Sequence, residues 1–247
     1  MGFFLSIQMI HLELKLLKML TKDIGIFFLE KTISKNILNL SIKYPLSRRD
    51  EILIIGNGRS VLDFSFGEKI NTFSVVGRIN NYSIIDYSEF VGVKTDIWFN
   101  GANQNLKKKN EIPNEVVVFI PAEILRRKTE KIHGRISKQL HIKKDKYSLT
   151  PLKKMEYYET LVGVTRPTTG TSSILWAVEN FEKVIIHGFD FFIDSKSHYN
   201  ESFIIKWLID LGINKKGGKH NMMAEKKFIE KLINKNQVIL LKDYLQQ

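Results

Sequence analysis

Glu51-Ile52-Leu53-Ile54-Ile55 is an apolar run that ends in a turn sequence, Gly56-Asn57-Gly58-Arg59-Ser60. A strand with one wet face alternates apolar and polar residues, whereas a run apolar at successive positions is buried on both faces, as in a parallel sheet covered by helices. Short β-branched or aromatic runs bounded by polar residues recur at 73–76, 95–99, 115–120, 183–187 and 237–241. Between them, 171–181 places Ile174, Leu175, Ala177 and Val178 at helical spacing, and 224–234 does the same with Phe228, Ile229, Leu232 and Ile233. The alternation predicts an α/β fold: a single Rossmann-like domain over residues 51–247, its mostly parallel sheet flanked by helices. A chain of 247 residues with 43% hydrophobic content can bury such a core.

Residues 1–50 have a different texture. Leu, Ile, Met and Phe are interrupted by His11, Glu13, Lys15, Lys18, Lys22 and Asp23, so no uncharged stretch reaches the ~20 residues of a membrane span. No basic residue precedes the apolar run and no small-residue cleavage site follows it, which argues against a signal peptide. The pattern predicts two amphipathic helices, near 5–20 and 24–38. Two uses fit them: packing on the main domain or on a second copy in a homo-oligomer, and peripheral contact with a membrane. The second is favoured by eight Lys or Arg against four Asp or Glu in residues 1–50.

The whole chain carries 38 basic and 26 acidic residues, a formal net charge of +12, which calls for an anionic partner or surface. The basic residues are spread over 107–109, 126–146 and 215–219 rather than set on one helix with base-reading motifs. A solvated or membrane-facing surface is therefore preferred to a nucleic-acid partner. The stretch 126–146 reads as a mobile insertion. The absence of cysteine excludes disulfides and thiolate metal sites and fits a reducing compartment. The expected location is the cytoplasm, peripheral to the inner face of the cytoplasmic membrane. Asp190 and Asp194 lack a third partner for a metal; none is expected, and Asp190 reads as a residue that holds its loop.

In a sheet of this kind ligands bind beyond the carboxyl ends of the strands. Asn57, Gly58 and Ser60 lie there. Their turn either offers backbone N–H groups to a phosphate, with the Asn57 amide beside them, or is a plain strand-to-helix connection. Thr168, Thr169 and Gly170 open a helix, where free N–H groups take an anion and a threonine also serves as N-cap. Arg166 is a cation for that anion or a solvated charge. Asn80 and Asn100 follow strands, as ligand contacts or as local turn formers. His198, Tyr199 and His220 are groups that move or donate protons near neutral pH, or polar loop residues. Glu225 falls five residues after His220, in the first turn of a helix, where it complements the dipole and orients His220. Gly212, Gly217 and Gly218 surround Lys215, Lys216 and Lys219, giving a lid or an exposed connector.

Taken in order, these segments resemble the sialyltransferases, both the bacterial lipooligosaccharide enzymes and the animal Golgi enzymes, from about Ile52 to Leu241. Gly56-Asn57-Gly58-Arg59-Ser60 is similar to the bacterial Gly-Asn-Gly-Pro-Ser, with Arg59 in place of proline. Arg78-Ile79-Asn80 resembles the Arg-x-Asn nucleotide contact, and Asn100 the later strand-terminal Asn. Arg166-Pro167-Thr168-Thr169-Gly170 resembles the segment that binds the donor carboxylate. His198-Tyr199 and His220 with Glu225 resemble the animal His-Tyr and His-x4-Glu motifs.

The resemblance implies inverting, metal-independent transfer of an ulosonic acid, sialic acid or Kdo, from a CMP-linked donor to a sugar hydroxyl of a lipooligosaccharide or capsule acceptor. No cofactor is implied beyond that co-substrate. His220 is the implied general base. Tyr199, His198 and Arg166 are the groups for the leaving phosphate, with Phe192 standing where the bacterial family has a tyrosine. Alternatives are a non-catalytic or nucleic-acid-binding basic α/β module, and transfer of another sugar or sugar phosphate on the same scaffold.

Overall fold

The structure is a computed structural model that describes residues 48–104, 106–128, 131–190 and 221–247; all of them belong to the unit Arg48–Gln247. The described residues form one sheet of seven strands, β1 Arg49–Ile55, β2 Val76–Ile79, β3 Ile97–Asn100, β4 Glu115–Val118, β5 Ser148–Leu149, β6 Phe181–His187 and β7 Ile239–Leu240. Every pairing is parallel and the order is β5-β4-β3-β2-β1-β6-β7. The helices are α1 Gly67–Asn71, α2 Ser88–Val91, α3 Ala122–Arg127, α4 Ile132–Leu140, α5 Leu152–Val162, α6 Thr169–Asn180, α7 Met222–Asn234 and α8 Leu241–Tyr244. None of the described helices is long and apolar enough to cross a membrane.

Successive side chains of a strand point to opposite faces, and β1 fills both. Ile52 and Ile54 join a core with Phe99, Ile174, Leu175 and Ile229, while Leu53 and Ile55 join a second core with Val61, Ile70, Val91, Ile185 and Leu241. Helices α3 to α7 thus cover one face and α1, α2 and α8 the other. All four β1 residues are at most 2% exposed, and burial of each stabilises the fold by about 2 kcal/mol.

The chain steps outward from β1 to β5 and then returns through α5 and α6 to β6 on the far side of β1. The order reverses between β1 and β6, which opens a crevice at their carboxyl ends.

Several expected boundaries shift. Strand β2 is 76–79 rather than 73–76; Phe73 leaves the sheet to pack in the second core, its ring 5.5 Å from that of Tyr244. β1 starts at Arg49, inside the segment assigned to the N-terminal helices, because β6 alongside it begins at Phe181, the register partner of Arg49. The rest of that segment, 1–47, lies outside the described residues. The described part of 126–146 is a built element rather than a mobile insertion: α4 buries Ile132, Ile136 and Leu140 at 3%, 0% and 1% exposure, and β5 then pairs with β4.

Candidate functional site

At the crevice, the loops after β1, β2, β3 and β6 and the start of α6 form a closed circuit of contacts. Asn57 Nδ2 donates to the Ile79 carbonyl at 2.9 Å. Next along, the Gly101 N–H donates to Asn80 Oδ1 at 3.0 Å. Gly101 itself lies against Thr169, whose hydroxyl is 2.7 Å from where a Cβ on Gly101 would stand. Gly170 lies against the Phe189 ring, 3.1 Å from its own would-be Cβ. The Gly58 N–H closes the circuit by donating to the Gly188 carbonyl at 2.9 Å. Five expected residues, Asn57, Gly58, Asn80, Thr169 and Gly170, therefore stand on one rim.

Three amides of the glycine turn are tied inward. The Gly56 N–H donates to the His187 carbonyl at 2.7 Å, and the Ser60 N–H donates to Asp190 at 3.2 Å. The Ser60 hydroxyl donates to the other Asp190 oxygen. A Cβ at Gly56 would fall on the Gly188 carbonyl, and one at Gly58 on the Asp190 carboxylate. This is why the turn needs glycine at both places. The expected phosphate cradle is thus a strut between β1 and β6 at Gly56, Gly58 and Ser60, and Asp190 holds the loop as its position suggested.

The start of α6 keeps its anion-binding capacity. Thr168 is the N-cap, its hydroxyl accepting from the Thr171 N–H at 3.1 Å. The N–H groups of Thr169 and Gly170, both half-buried, have no acceptor among the described residues. They are the free donors of a helix N-terminus.

Glu225 complements this terminus from outside. Its Oε2 accepts from the Thr168 N–H at 2.9 Å, the Thr168 hydroxyl at 2.6 Å and the Thr171 hydroxyl. The residue is fully buried, and its Oε1 has no partner among the described residues. It stands in the first turn of α7, as its spacing predicts, and its carboxylate also reaches the start of α6, while Asn221 caps α7 by accepting from the Ala224 N–H at 3.1 Å.

Three other expected residues are engaged by protein groups. The Arg166 Nη2 is 2.6 Å from Glu123 Oε2, and this hydrogen bond holds the Glu123 carboxyl below the usual carboxylate range. Arg78 is fully buried. Its guanidinium donates to the carbonyls of Val91, Gly92 and Lys94 and to the Thr95 hydroxyl, so it braces the loop before β3 and shows no face to a nucleotide. Asn100, also fully buried, accepts from the Ala102 N–H at 2.7 Å and has no partner for Nδ2 among the described residues. It lies beneath the rim. His198, Tyr199 and His220, with Phe192, Asp194 and the glycines at 212, 217 and 218, lie outside the described residues.

Gly101, Gly188 and Phe189 also belong to the circuit, although no motif marks them. Gly188, with φ of +72°, follows an apolar strand just as Gly56 does; that repetition of strand then glycine was the legible signal. Among the described residues no three His, Asp or Glu side chains gather as metal ligands.

The family model described as glycosyltransferase family 29 (sialyltransferase) matches residues 29–237. That is well over half of the chain, and the chain belongs to this family. Among solved structures, one of a mammalian sialyltransferase in complex with Gal-beta-1-3GalNAc-ortho-nitrophenol matches with a TM-score of 0.58 at 20% identity, over 78% of this chain and 70% of that one. Another mammalian sialyltransferase structure matches with the same score and identity over 78% and 69%. These two likenesses show the shared fold. No curated protein matches the sequence. The protein is a glycosyltransferase that uses a CMP-sugar donor, which sets aside the reading as a non-catalytic basic module.

Proposed function

We propose that the enzyme moves an ulosonic acid, sialic acid or Kdo, from CMP to a sugar hydroxyl of a lipooligosaccharide or capsule acceptor, inverting the anomeric centre. The observation that carries this reading is the pair of unengaged N–H groups at Thr169 and Gly170, on the rim beside Asn57 and Asn80. A donor of this class has a carboxylate on the reacting carbon and a phosphate next to it, and a helix N-terminus suits an anion.

In the proposed step the acceptor oxygen bonds to the anomeric carbon as its proton passes to His220. The bond from that carbon to the phosphate oxygen breaks, and its electron pair leaves with CMP. A neutral imidazole with an ordinary pKa near 6.5 is suited to the proton. His198 and Tyr199 donate to the departing phosphate, where charge grows. Glu225 touches no reacting atom in this scheme: it is a positioning residue, fastening the start of α7, two residues after His220, to Thr168. The reading includes peripheral contact of residues 1–50 with the inner face of the cytoplasmic membrane, supported by their excess of basic residues.

The test is incubation of the full chain with CMP-sialic acid or CMP-Kdo alone, following slow donor hydrolysis by mass spectrometry. Preferential hydrolysis of one donor supports the reading and selects the sugar. Failure to hydrolyse either, with a thermal midpoint unmoved by millimolar CMP, overturns it.

A further inference from the structure

Residues 126–146 hold nine Lys or Arg against two acidic residues, Glu130 and Asp145, which is a net +7 of the chain's +12. Helix α4 turns Ile132, Ile136 and Leu140 into the core, so Lys131, Arg135 and Lys138, spaced along the opposite side, face outward. Lys131 and Lys138 are exposed, as are Lys128 before the helix and Lys143, Lys144 and Lys146 after it. Arg126 and Arg127 are neutralised by Glu156 at 2.6 Å and Glu123 at 3.2 Å. The other seven form no ion pair with any described residue. Keeping seven like charges together on a rigid element costs self-repulsion, and an opposing anionic surface offsets that cost.

The shape of the patch indicates what that surface is. None of the seven lines the cavities beside Glu51, Trp176 or His187, and the charges spread along the outer side of α4 and its flanking turns. The one Phe, Tyr or Trp within 126–148 is Tyr147. It is half-buried and hydrogen-bonded to His133 Nδ1 at 2.8 Å, which leaves no stacking platform for nucleic-acid bases. A plane of lipid headgroups fits an extended basic face of this kind.

We infer that the outward face of α4, with its flanking turns, is an electrostatic docking surface for a bilayer containing anionic lipid. The face adjoins the donor rim through a chain of ion pairs: Arg127 with Glu123 at 3.2 Å, and Glu123 with Arg166 at 2.6 Å, two residues before the cap of α6. Docking there brings the rim alongside headgroups that present a lipid-linked acceptor. The surface is distinct from residues 1–50 and needs neither the identity of the sugar nor that of the base.

The experiment is co-sedimentation of the full chain with vesicles of phosphatidylcholine alone, or with phosphatidylglycerol at about three lipids in ten. Binding is expected only to the second, and it falls as salt rises from about 0.1 to 1 M and shortens the screening length from roughly 10 to 3 Å. Lys131→Glu/Lys138→Glu/Lys143→Glu/Lys144→Glu is expected to weaken the partition at least about 100-fold. A control with the same change in net charge, Lys227→Glu/Lys231→Glu/Lys235→Glu/Lys242→Glu on exposed sites of α7, its C-cap and α8, is expected to lose less than about tenfold. Equal thermal midpoints for the two variants show that both are folded. Undiminished sedimentation of the first variant overturns the inference and leaves residues 1–50 as the contact. So does equal loss in both variants, equal binding to both vesicle types, or binding of a DNA duplex but of neither vesicle.

Discussion

The Glu225 carboxylate accepts from both the backbone N–H and the hydroxyl of Thr168, and through this one oxygen the start of α7 is fixed to the start of α6. A buried anion is costly unless donors surround it. Here the Thr171 hydroxyl and the positive end of α6 complete the set. Glu225→Ala strips three donors of their acceptor and is expected to lower unfolding free energy by about 3 kcal/mol, while Glu225→Gln, which keeps an oxygen in place, costs about half of that. Urea titration measures both. Equal losses for the two variants would show that shape rather than charge holds the junction.

His220→Ala is expected to reduce sugar transfer at least about 100-fold while CMP still raises the thermal midpoint as in the parent. Paired transfer assays and thermal shifts decide it. Full turnover in the variant removes the base assignment; loss of the CMP shift assigns His220 to binding instead.

The strut between Gly58 and Asp190 predicts non-additive behaviour. Gly58→Ala drives a methyl group onto the Asp190 carboxylate, which must move and release Ser60. The donor KM should rise about tenfold, because rim residues shift with the turn. Asp190→Ala removes the obstruction at the cost of the Ser60 bonds. The double variant should therefore lie closer to Asp190→Ala than the sum of the two single losses, a coupling of about 1–2 kcal/mol. Simple addition of the two effects would count against the strut.

Legibility in the sequence follows burial. β1 and β6 were readable because Ile52 to Ile55 and Val184 to Ile186 are buried on both faces of a central strand pair, and β3 and β4 follow the same rule with shorter buried runs. β2 was misplaced because Gly77 and Arg78 interrupt its apolar run: Gly77 makes room for the Phe99 ring, and Arg78 is buried by loop carbonyls that no local pattern announces. β5, two residues long, carries too little sequence to be seen. At the site, motifs located Asn57, Asn80, Thr169 and Gly170, yet the partners they meet come from distant segments. The reach of Glu225 to Thr168 spans 57 residues and depends on how two helices dock, which spacing does not encode.

Arg78 offers a direct test of scaffold against ligand contact. Its planar fork spans the Val91 and Gly92 carbonyls from Nη2, at 2.6 and 3.1 Å, and Lys94 and Thr95 from Nε. A lysine ammonium is a compact charge and cannot reach all four. Arg78→Lys is expected to cost about 2–4 kcal/mol of stability with the donor KM unchanged in the folded fraction. A raised KM at parental stability would return Arg78 to the nucleotide.

His187 predicts the acid side of the stability curve. The imidazole is 9% exposed at the end of β6, beside the Phe66 ring, and its pKa is pushed down to about 4, chiefly by burial, against opposing pulls from a backbone hydrogen bond with Val61 and from Asp190 and Asp63. In the unfolded chain the same group titrates near 6.5. Between those values the unfolded state holds a proton that the folded state does not, so stability falls as pH falls through the window from about 6.5 to 4 and is fully present above it. The total amounts to about 3 kcal/mol, with a slope of up to about 1.4 kcal/mol per pH unit. His133, also lowered by burial, acts in the same direction, so the comparison is between parent and His187→Gln, whose urea-derived stability should decline less steeply from pH 6.5 to 5. Parallel curves for the two proteins would mean that His187 is protonated in the folded state, and the buried neutral imidazole would have to be abandoned.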